Sequence, residues 1–171
     1  MPDQTPPDPT PSPTSLLQAP PLGIAPILVV SDAAAASAFY QRAFNAEELA
    51  RIAAPGGKRF LHIRLRAFGS TFVIMDELAE MNGLGSLFRA PTSLRGTSVT
   101  LHLQVADGNA VWQQALNAGA RSIIPLERQF WGELYGRLSD PFGHEWTIAQ
   151  FLQHLSDAQV EGAANSVFQA K

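Results

Sequence analysis

Two kinds of periodicity run along this chain, one typical of strands and one typical of helices. An apolar segment at 24–30 follows Gly23 and has the length of a strand. The next segment, 33–44, begins after Asp32, a residue type that caps helices, and its apolar residues recur every three or four positions. Asn45 can close this helix in the left-handed conformation. The pattern therefore predicts a strand followed by an amphipathic helix.

Three further strands are predicted after this helix. Residues 48–53, 60–66 and 71–75 are rich in residues that favour strands and are separated by turns that contain Gly. Residues 76–96 contain Gly and Pro and show no clear period. Because long irregular segments are often functional, this segment is a candidate lid.

The order of elements then repeats. Alternating apolar and polar residues predict a strand at 99–105, and Asp107 and Gly119 delimit a predicted helix at 108–118. The remaining predicted elements are a strand that starts at 122, an aromatic strand or loop at 130–137, a turn at 140–143, a strand at 145–149 and, after a capping Ser156, a short helix toward Phe168.

The two cycles can be aligned over the strand, the capping Asp, the helix and the small residue that ends it. An internal repeat of this kind indicates a duplicated structural unit. Together these patterns predict an α+β fold of paired βαβββ modules. We expect their strands to form a curved mixed sheet, with the helices outside and a concave cleft inside.

Proline divides the chain into three predicted regions. Eight of the 13 prolines lie in residues 1–22, which predicts a Pro-rich tail that is either flexible or an arm packing Leu16 and Leu17 on a partner subunit. Residues 23–150 hold the duplicated domain. Residues 151–171 form a C-terminal helical extension.

Composition narrows the functions to be considered. The net charge is −3, whereas nucleic-acid binding requires a surplus of positive charge, so we expect no nucleic-acid partner. The chain has no cysteine, which excludes disulfides and thiolate metal sites. It has no apolar run of about 20 residues and no secretory signal, so we expect no membrane partner and a cytoplasmic location.

Several short motifs in residues 24–150 together resemble the vicinal oxygen chelate superfamily, which includes glyoxalase I, bleomycin-resistance proteins and extradiol dioxygenases. Within it the chain is most similar to the PhnB-like branch. The resemblance implies the paired βαβββ fold, usually assembled as a homodimer. Its motifs are VVSD at 29–32, AFYQRAF at 38–44, SVTLHL at 98–103, QFWG at 129–132, YG at 135–136 and DPFGHEW at 140–146.

Enzymes of this superfamily bind a divalent metal through one side chain from each of four strands. The resemblance places these positions at Ala25, at Ile74 or Met75, at Thr100 and at Thr147. A divalent ion needs carboxylates, imidazoles or several oxygens, and two hydroxyls among aliphatic groups do not provide them. We therefore expect no metal and no other cofactor. Leu134 also stands where PhnB-like sequences often have Arg, which implies one charged contact fewer near the cleft.

Alternation within the strands gives a second, independent argument for a cleft. In 99–105, 60–66 and 145–149, one set of alternating residues is apolar and the other is largely polar, which places the two sets on opposite faces. If the sheet curves inward, the polar sets converge on its concave side, where small ligands usually bind. Trp131 and Tyr135 can add flat walls. The predicted ligand-binding residues are His62, Arg64, Thr100, His102, Trp131, Tyr135, Glu145 and Thr147.

Structural roles remain open for some of these residues. His62 and His102 can bond to nearby protein groups, Arg64 can pair with Glu145, and Trp131 can pack in the core. Gln104 and Arg66, near strand ends, are expected to face solvent, and His144 to be a surface or turn residue.

The sequence leaves three functions open. The first is a metal-free protein of the resistance type that sequesters a small polar or planar ligand. The second is a glyoxalase-like or dioxygenase-like enzyme (a lyase, isomerase or oxidoreductase). It would use an unusual metal set of His62, His102 and Glu145, or a general base at His102 or Glu145. The third is an interaction role of the tail, which contains the Pro6-x-x-Pro9 spacing.

Overall fold

The computed structural model of this protein describes residues 23–78 and 87–169. The predictions for the tail at 1–22 and for part of the candidate lid lie outside these residues. Within them, no helix has both the length and the apolar character that a membrane span requires.

The first half of the described chain is a βαβββ unit. Its strands form a four-stranded sheet in the order β1-β4-β3-β2, in which β1 and β4 are parallel and the other neighbours are antiparallel. We call it the N-terminal sheet. Its elements are β1 (Ile27–Val30), α1 (Ala33–Phe44), β2 (Glu47–Ala53), β3 (Phe60–Ala67) and β4 (Ser70–Asp76).

The second half repeats this arrangement after a short helix. Its strands form a separate C-terminal sheet in the order β5-β8-β7-β6, and again only the first pair is parallel. The elements are α2 (Pro91–Leu94), β5 (Thr100–Gln104), α3 (Gly108–Ala118), β6 (Arg121–Arg128), β7 (Glu133–Ser139), β8 (Glu145–Phe151) and α4 (Asp157–Gln169).

The predicted α+β fold of two βαβββ units is confirmed. The strands form two four-stranded sheets that do not join within the chain, rather than one continuous sheet. The first strand is shorter than the predicted 24–30 and starts after Pro26, which has no backbone N–H to donate to a ladder. The aromatic segment at 130–137 divides into a turn at 130–132 and the strand β7.

Helices α1 and α3 begin and end where the sequence predicts. The carboxylates of Asp32 and Asp107 accept hydrogen bonds from the backbone N–H groups of Ala35 and Ala110, at 2.9 and 3.0 Å. Asn45 and Gly119 close the two helices in the left-handed conformation. In α4 the predicted cap is also present, because Ser156 and Gln159 exchange side-chain to backbone hydrogen bonds at its first turn.

One apolar core lies between the two sheets. Helix α1 contacts α3, and the helix-covered faces of both sheets contribute to the same buried cluster. Trp146 of β8 packs against Phe44 of α1 at 4.8 Å and against Phe72 of β4 at 5.9 Å between ring centroids. We call the face of each sheet that is turned away from this core its outer face.

Asp140, the first residue of the predicted turn, joins the two halves. Its carboxylate is buried and accepts hydrogen bonds from the hydroxyl of Tyr40 at 2.6 Å and the indole of Trp146 at 3.0 Å. The backbone N–H groups of Phe142 and His144 donate to its other oxygen, both at 2.9 Å. The turn thus connects α1 of the first half to β8 of the second.

Candidate functional site

Polar side chains are concentrated on the outer face of the C-terminal sheet. Leu101, Leu103 and Leu138 pack on the core, so the residues between them in β5 and β7 face outward. The strand register aligns them in rows across the sheet, with Thr147 between His102 and Arg137. We call the five central residues the polar cluster: Thr100, His102, Arg137, Glu145 and Thr147.

Arg137 is at the centre of the hydrogen bonds in the polar cluster. Its Nη2 donates to the hydroxyl of Thr100 at 2.8 Å and forms an ion pair with Glu145. The ion pair neutralises both charges locally, although about a third of the Arg137 side chain remains exposed. Its Nε atom is buried and has no partner in the described residues.

His102 has a neutral partner at each ring nitrogen. Its Nδ1 lies 2.8 Å from the hydroxyl of Thr147, and its Nε2 lies 3.3 Å from Oε1 of Gln104. If Nε2 carries the proton, it donates to Gln104 and Nδ1 accepts from Thr147, which satisfies a neutral imidazole. Gln104 thus contacts the polar cluster, where the sequence predicts only solvent exposure.

Aromatic side chains lie at one end of the same face. Trp131 is half-buried outside the core cluster and packs edge-on against Tyr135 at 5.7 Å. Its indole donates to Glu133 at 2.9 Å. Ala149, beside Tyr135 in the register, is fully buried. The outer face therefore combines a polar cluster with an aromatic wall.

The structure places His62 and Arg64 on the other sheet. Ile63 and Leu65 are fully buried in the core, so His62 and Arg64 project from the outer face of the N-terminal sheet. His62 and Arg64 are therefore separated in the chain from the polar cluster, which lies on the C-terminal sheet. The alternative ion pair between Arg64 and Glu145 is absent, since Glu145 pairs with Arg137.

His62 lies in a partly dehydrated environment. Burial, and then the neighbouring charge of Arg64, lower the pKa of His62 from its ordinary value of 6.5, so the imidazole is neutral at pH 7. Its Nε2 atom is buried without a hydrogen-bond partner in the described residues.

Arg137 and the position of His144 were not anticipated from the sequence. Arg137 could have been found from the alternation in β7, where Leu134, Gly136 and Leu138 face the helices. Leu134 itself packs beside Gly108 at the start of α3, so it has no place at the outer face. His144 follows the turn as predicted, but its ring bonds to the carbonyl of Val29 at 2.9 Å and thereby links the two halves.

Comparison with known proteins identifies the family. The sequence model of the Glyoxalase/Bleomycin resistance protein/Dioxygenase superfamily matches residues 23–148. The chain belongs to this superfamily. The resemblance inferred from the short motifs is thus confirmed.

Proteins of similar sequence or similar fold occur in distant organisms. A protein of Mycobacterium tuberculosis, whose name assigns no activity, is 45% identical over 143 residues, which cover 84% of this chain and 82% of that protein. TioX from Micromonospora has a similar structure, with a TM-score of 0.57 at 23% identity, over 76% of this chain and all of TioX. The PhnB protein of Bacillus cereus also has a TM-score of 0.57, at 16% identity, over 75% of this chain and 99% of that protein. The two structural similarities show a shared fold.

The metal-binding positions that the superfamily implies do not suit a divalent ion here. Ile74 is buried in the core, while the hydroxyls of Thr100 and Thr147 are hydrogen-bonded to Arg137 and His102. No group of three or more His, Asp or Glu residues within the described ranges could hold a metal. The alternative set of His62, His102 and Glu145 is divided between the two sheets. These side chains do not fit the metal.

Proposed function

We propose that this protein binds a small planar ligand with polar groups, without a metal, over the outer face of the C-terminal sheet. The observation that carries the proposal is the polar cluster beside the aromatic pair Trp131 and Tyr135. Thr147 is only 3% exposed and lies between His102 and Arg137 in the strand register. A ring can stack on Tyr135 while its polar substituents reach the polar cluster.

Binding without bond cleavage agrees better with these contacts than general-base catalysis does. Both nitrogens of His102 have neutral partners, and Glu145 is held by Arg137. A general base needs a free lone pair directed at the substrate. The alternative, a glyoxalase-like or dioxygenase-like enzyme, requires these groups to exchange partners when the substrate enters.

We further propose that a homodimer completes the ligand site. The outer face of the N-terminal sheet of one copy would cover the polar cluster of another, which brings His62 and Arg64 to the ligand. Exposed apolar residues support such an interface: Ile27 on β1 and Val99 before β5 are 60% and 61% exposed. Both line a groove of about 820 Å³ between the two halves.

Ligand binding can be tested by calorimetry with a panel of planar aromatic metabolites and drugs, together with matched histidine variants. We expect at least one compound to bind the wild-type protein and His102→Gln to weaken that binding about tenfold through loss of a hydrogen-bonding group. His154→Gln changes an exposed histidine outside the site and should leave the affinity unchanged. Folded dimeric protein that binds no compound in the panel would contradict the proposal.

The metal-free part of the proposal has a separate test. Elemental analysis of protein purified without a histidine tag is expected to show no stoichiometric zinc, iron, nickel or manganese. One such ion per chain, lost in His102→Gln, would favour the enzymatic alternative instead.

A further inference from the structure

Arg64 is a cation without an acidic partner in the described part of the chain. On the outer face of the N-terminal sheet its register neighbours are Ala50 and Val73, neither of which can pair with a charge. Arg66, two residues further along β3, contrasts with it because it forms an ion pair with Glu47. The same strand therefore carries one paired and one unpaired guanidinium on the same face.

On one side of Arg64 the neighbouring row of the face contains His62 and apolar groups, whereas the row on the other side contains the Arg66–Glu47 ion pair. Ile52 pairs with His62 in the register, and an imidazole is either neutral or positively charged, so it cannot compensate the charge of Arg64. A partly exposed guanidinium without a carboxylate partner retains N–H donors that an anion can engage.

The polar cluster cannot supply this counter-ion. Its only carboxylate, Glu145, is already engaged by Arg137, so the cluster has no net charge. If the two faces meet across a homodimer, Arg64 contributes the excess positive charge among the groups predicted to contact the ligand.

We propose that Arg64 binds an anionic oxygen group of the ligand, so that the protein selects planar aromatic acids over their uncharged analogues. This inference depends on the proposed function, since Arg64 reaches the ligand only if a second copy covers the polar cluster. A carboxylate fits the planar guanidinium through two parallel hydrogen bonds, and a phosphate ester has similar acceptor geometry.

Three naphthalene compounds of the same ring size test the charge requirement. The probes are 2-naphthoate, 2-naphthyl phosphate and the uncharged 2-naphthamide, titrated into the wild-type dimer and followed by tryptophan fluorescence. We expect 2-naphthoate to bind about tenfold more tightly than 2-naphthamide, and the preference to fall as salt is added. Tighter binding of the phosphate than of the carboxylate would assign the anion as a phosphate ester.

Two matched variants test whether Arg64 is responsible for the preference for the anion. Arg64→Gln should abolish the preference for the anion while 2-naphthamide still binds, and Arg66→Gln should retain the preference. Equal binding of 2-naphthoate and 2-naphthamide by the wild-type protein would overturn the role of Arg64 but would still support the proposed ligand site. Failure of all three probes would overturn both. Dissociation of the dimer in Arg64→Gln, with no anion preference in the wild type, would make Arg64 an interface residue instead.

Discussion

The buried carboxylate of Asp140 accepts four hydrogen bonds and has no ion-pair partner in the described residues. A carboxylate in such a position remains stable only while its donors are present, because a buried acceptor that loses a partner retains its desolvation penalty. The hydroxyl of Tyr40 is the one donor that comes from the first half of the chain.

Tyr40→Phe is expected to lower the free energy of unfolding by about 1.5–3 kcal/mol, the usual value of a hydrogen bond to a charged group. Urea denaturation measures the change. Tyr135→Phe is the control, because Tyr135 lies outside the core cluster and its ring contacts do not involve the hydroxyl. A loss in Tyr135→Phe equal to that in Tyr40→Phe would contradict the role of Asp140.

The same tyrosine predicts a dependence on high pH. Burial, and then the charge of Asp140, raise the pKa of Tyr40 well above its ordinary value of 10.0. Above that value the unfolded chain loses the proton and the folded chain retains it, so stability falls with pH by up to about 1.4 kcal/mol per unit. Tyr40→Phe lacks this group, and its stability should converge on that of the wild type as pH rises. Parallel urea titrations across this range would show a constant difference if the prediction is wrong.

At the residue scale, strand alternation was sufficient to predict that His102, Thr147 and Glu145 share a face. Alternation within β7 also places Arg137 on this face, but the pairing of Arg137 with Glu145 depends on the register between β7 and β8, which the pattern of one strand does not contain. Nor could alternation separate His62 and Arg64 from the others. Alternation states which residues of one strand face the same way, whereas the relative direction of two sheets depends on packing between distant residues such as Phe72 and Trp146.

Among the elements, α1 is held at its start by two carboxylates from different parts of the chain. Asp32 caps it locally, and the buried Asp76 at the end of β4 accepts from the N–H of Ala33 at 2.9 Å. Asp76 also accepts from the N–H of Phe60 at 2.6 Å. One side chain thus aligns the starts of α1 and β3 with the end of β4.

We expect Asp76→Ala to lower the free energy of unfolding by about 2–4 kcal/mol, because it leaves two backbone donors without a partner. Asp32→Ala and Asp107→Ala remove only local caps and should cost about 1 kcal/mol each. Denaturant titration of the three variants provides the comparison. Equal losses in all three would show that Asp76 acts as no more than another cap.

Helices α1 and α3 have the predicted bounds because their signals are local: a capping Asp, apolar spacing and a residue suited to the left-handed position. The short helix α2 lies in the segment at 76–96, for which the sequence predicts no regular element. The observed ends of several strands differ from the predicted ends, as in β1 and β5. The register shifts between β6 and β7 depend on tertiary contacts such as Gly136, where a Cβ atom would lie 2.8 Å from both Leu126 and Trp112. A pattern along one strand contains no information about such a contact.

For the whole molecule, the exposed apolar residues at β1 predict a dimer in solution. Light scattering coupled to size exclusion should give the mass of two chains, and Ile27→Lys should shift it toward one chain by placing a charge at the interface. Ile123→Lys, at an exposed position of the distant edge strand β6, should leave the mass unchanged. A wild-type monomer would contradict the dimer and with it the complete ligand site.

The bond between Tyr40 and Asp140 also bears on how the repeated halves depend on each other. Two copies of a duplicated unit can in principle fold separately. Here, however, the buried carboxylate of Asp140 in the second unit accepts one of its hydrogen bonds from Tyr40 of the first unit. Expressed alone, residues 87–169 would expose Trp146 and remove the hydrogen bond that Tyr40 donates to Asp140. We therefore expect this fragment to become compact only when the first half of the chain is present. We therefore expect the two repeats to unfold as a single cooperative unit.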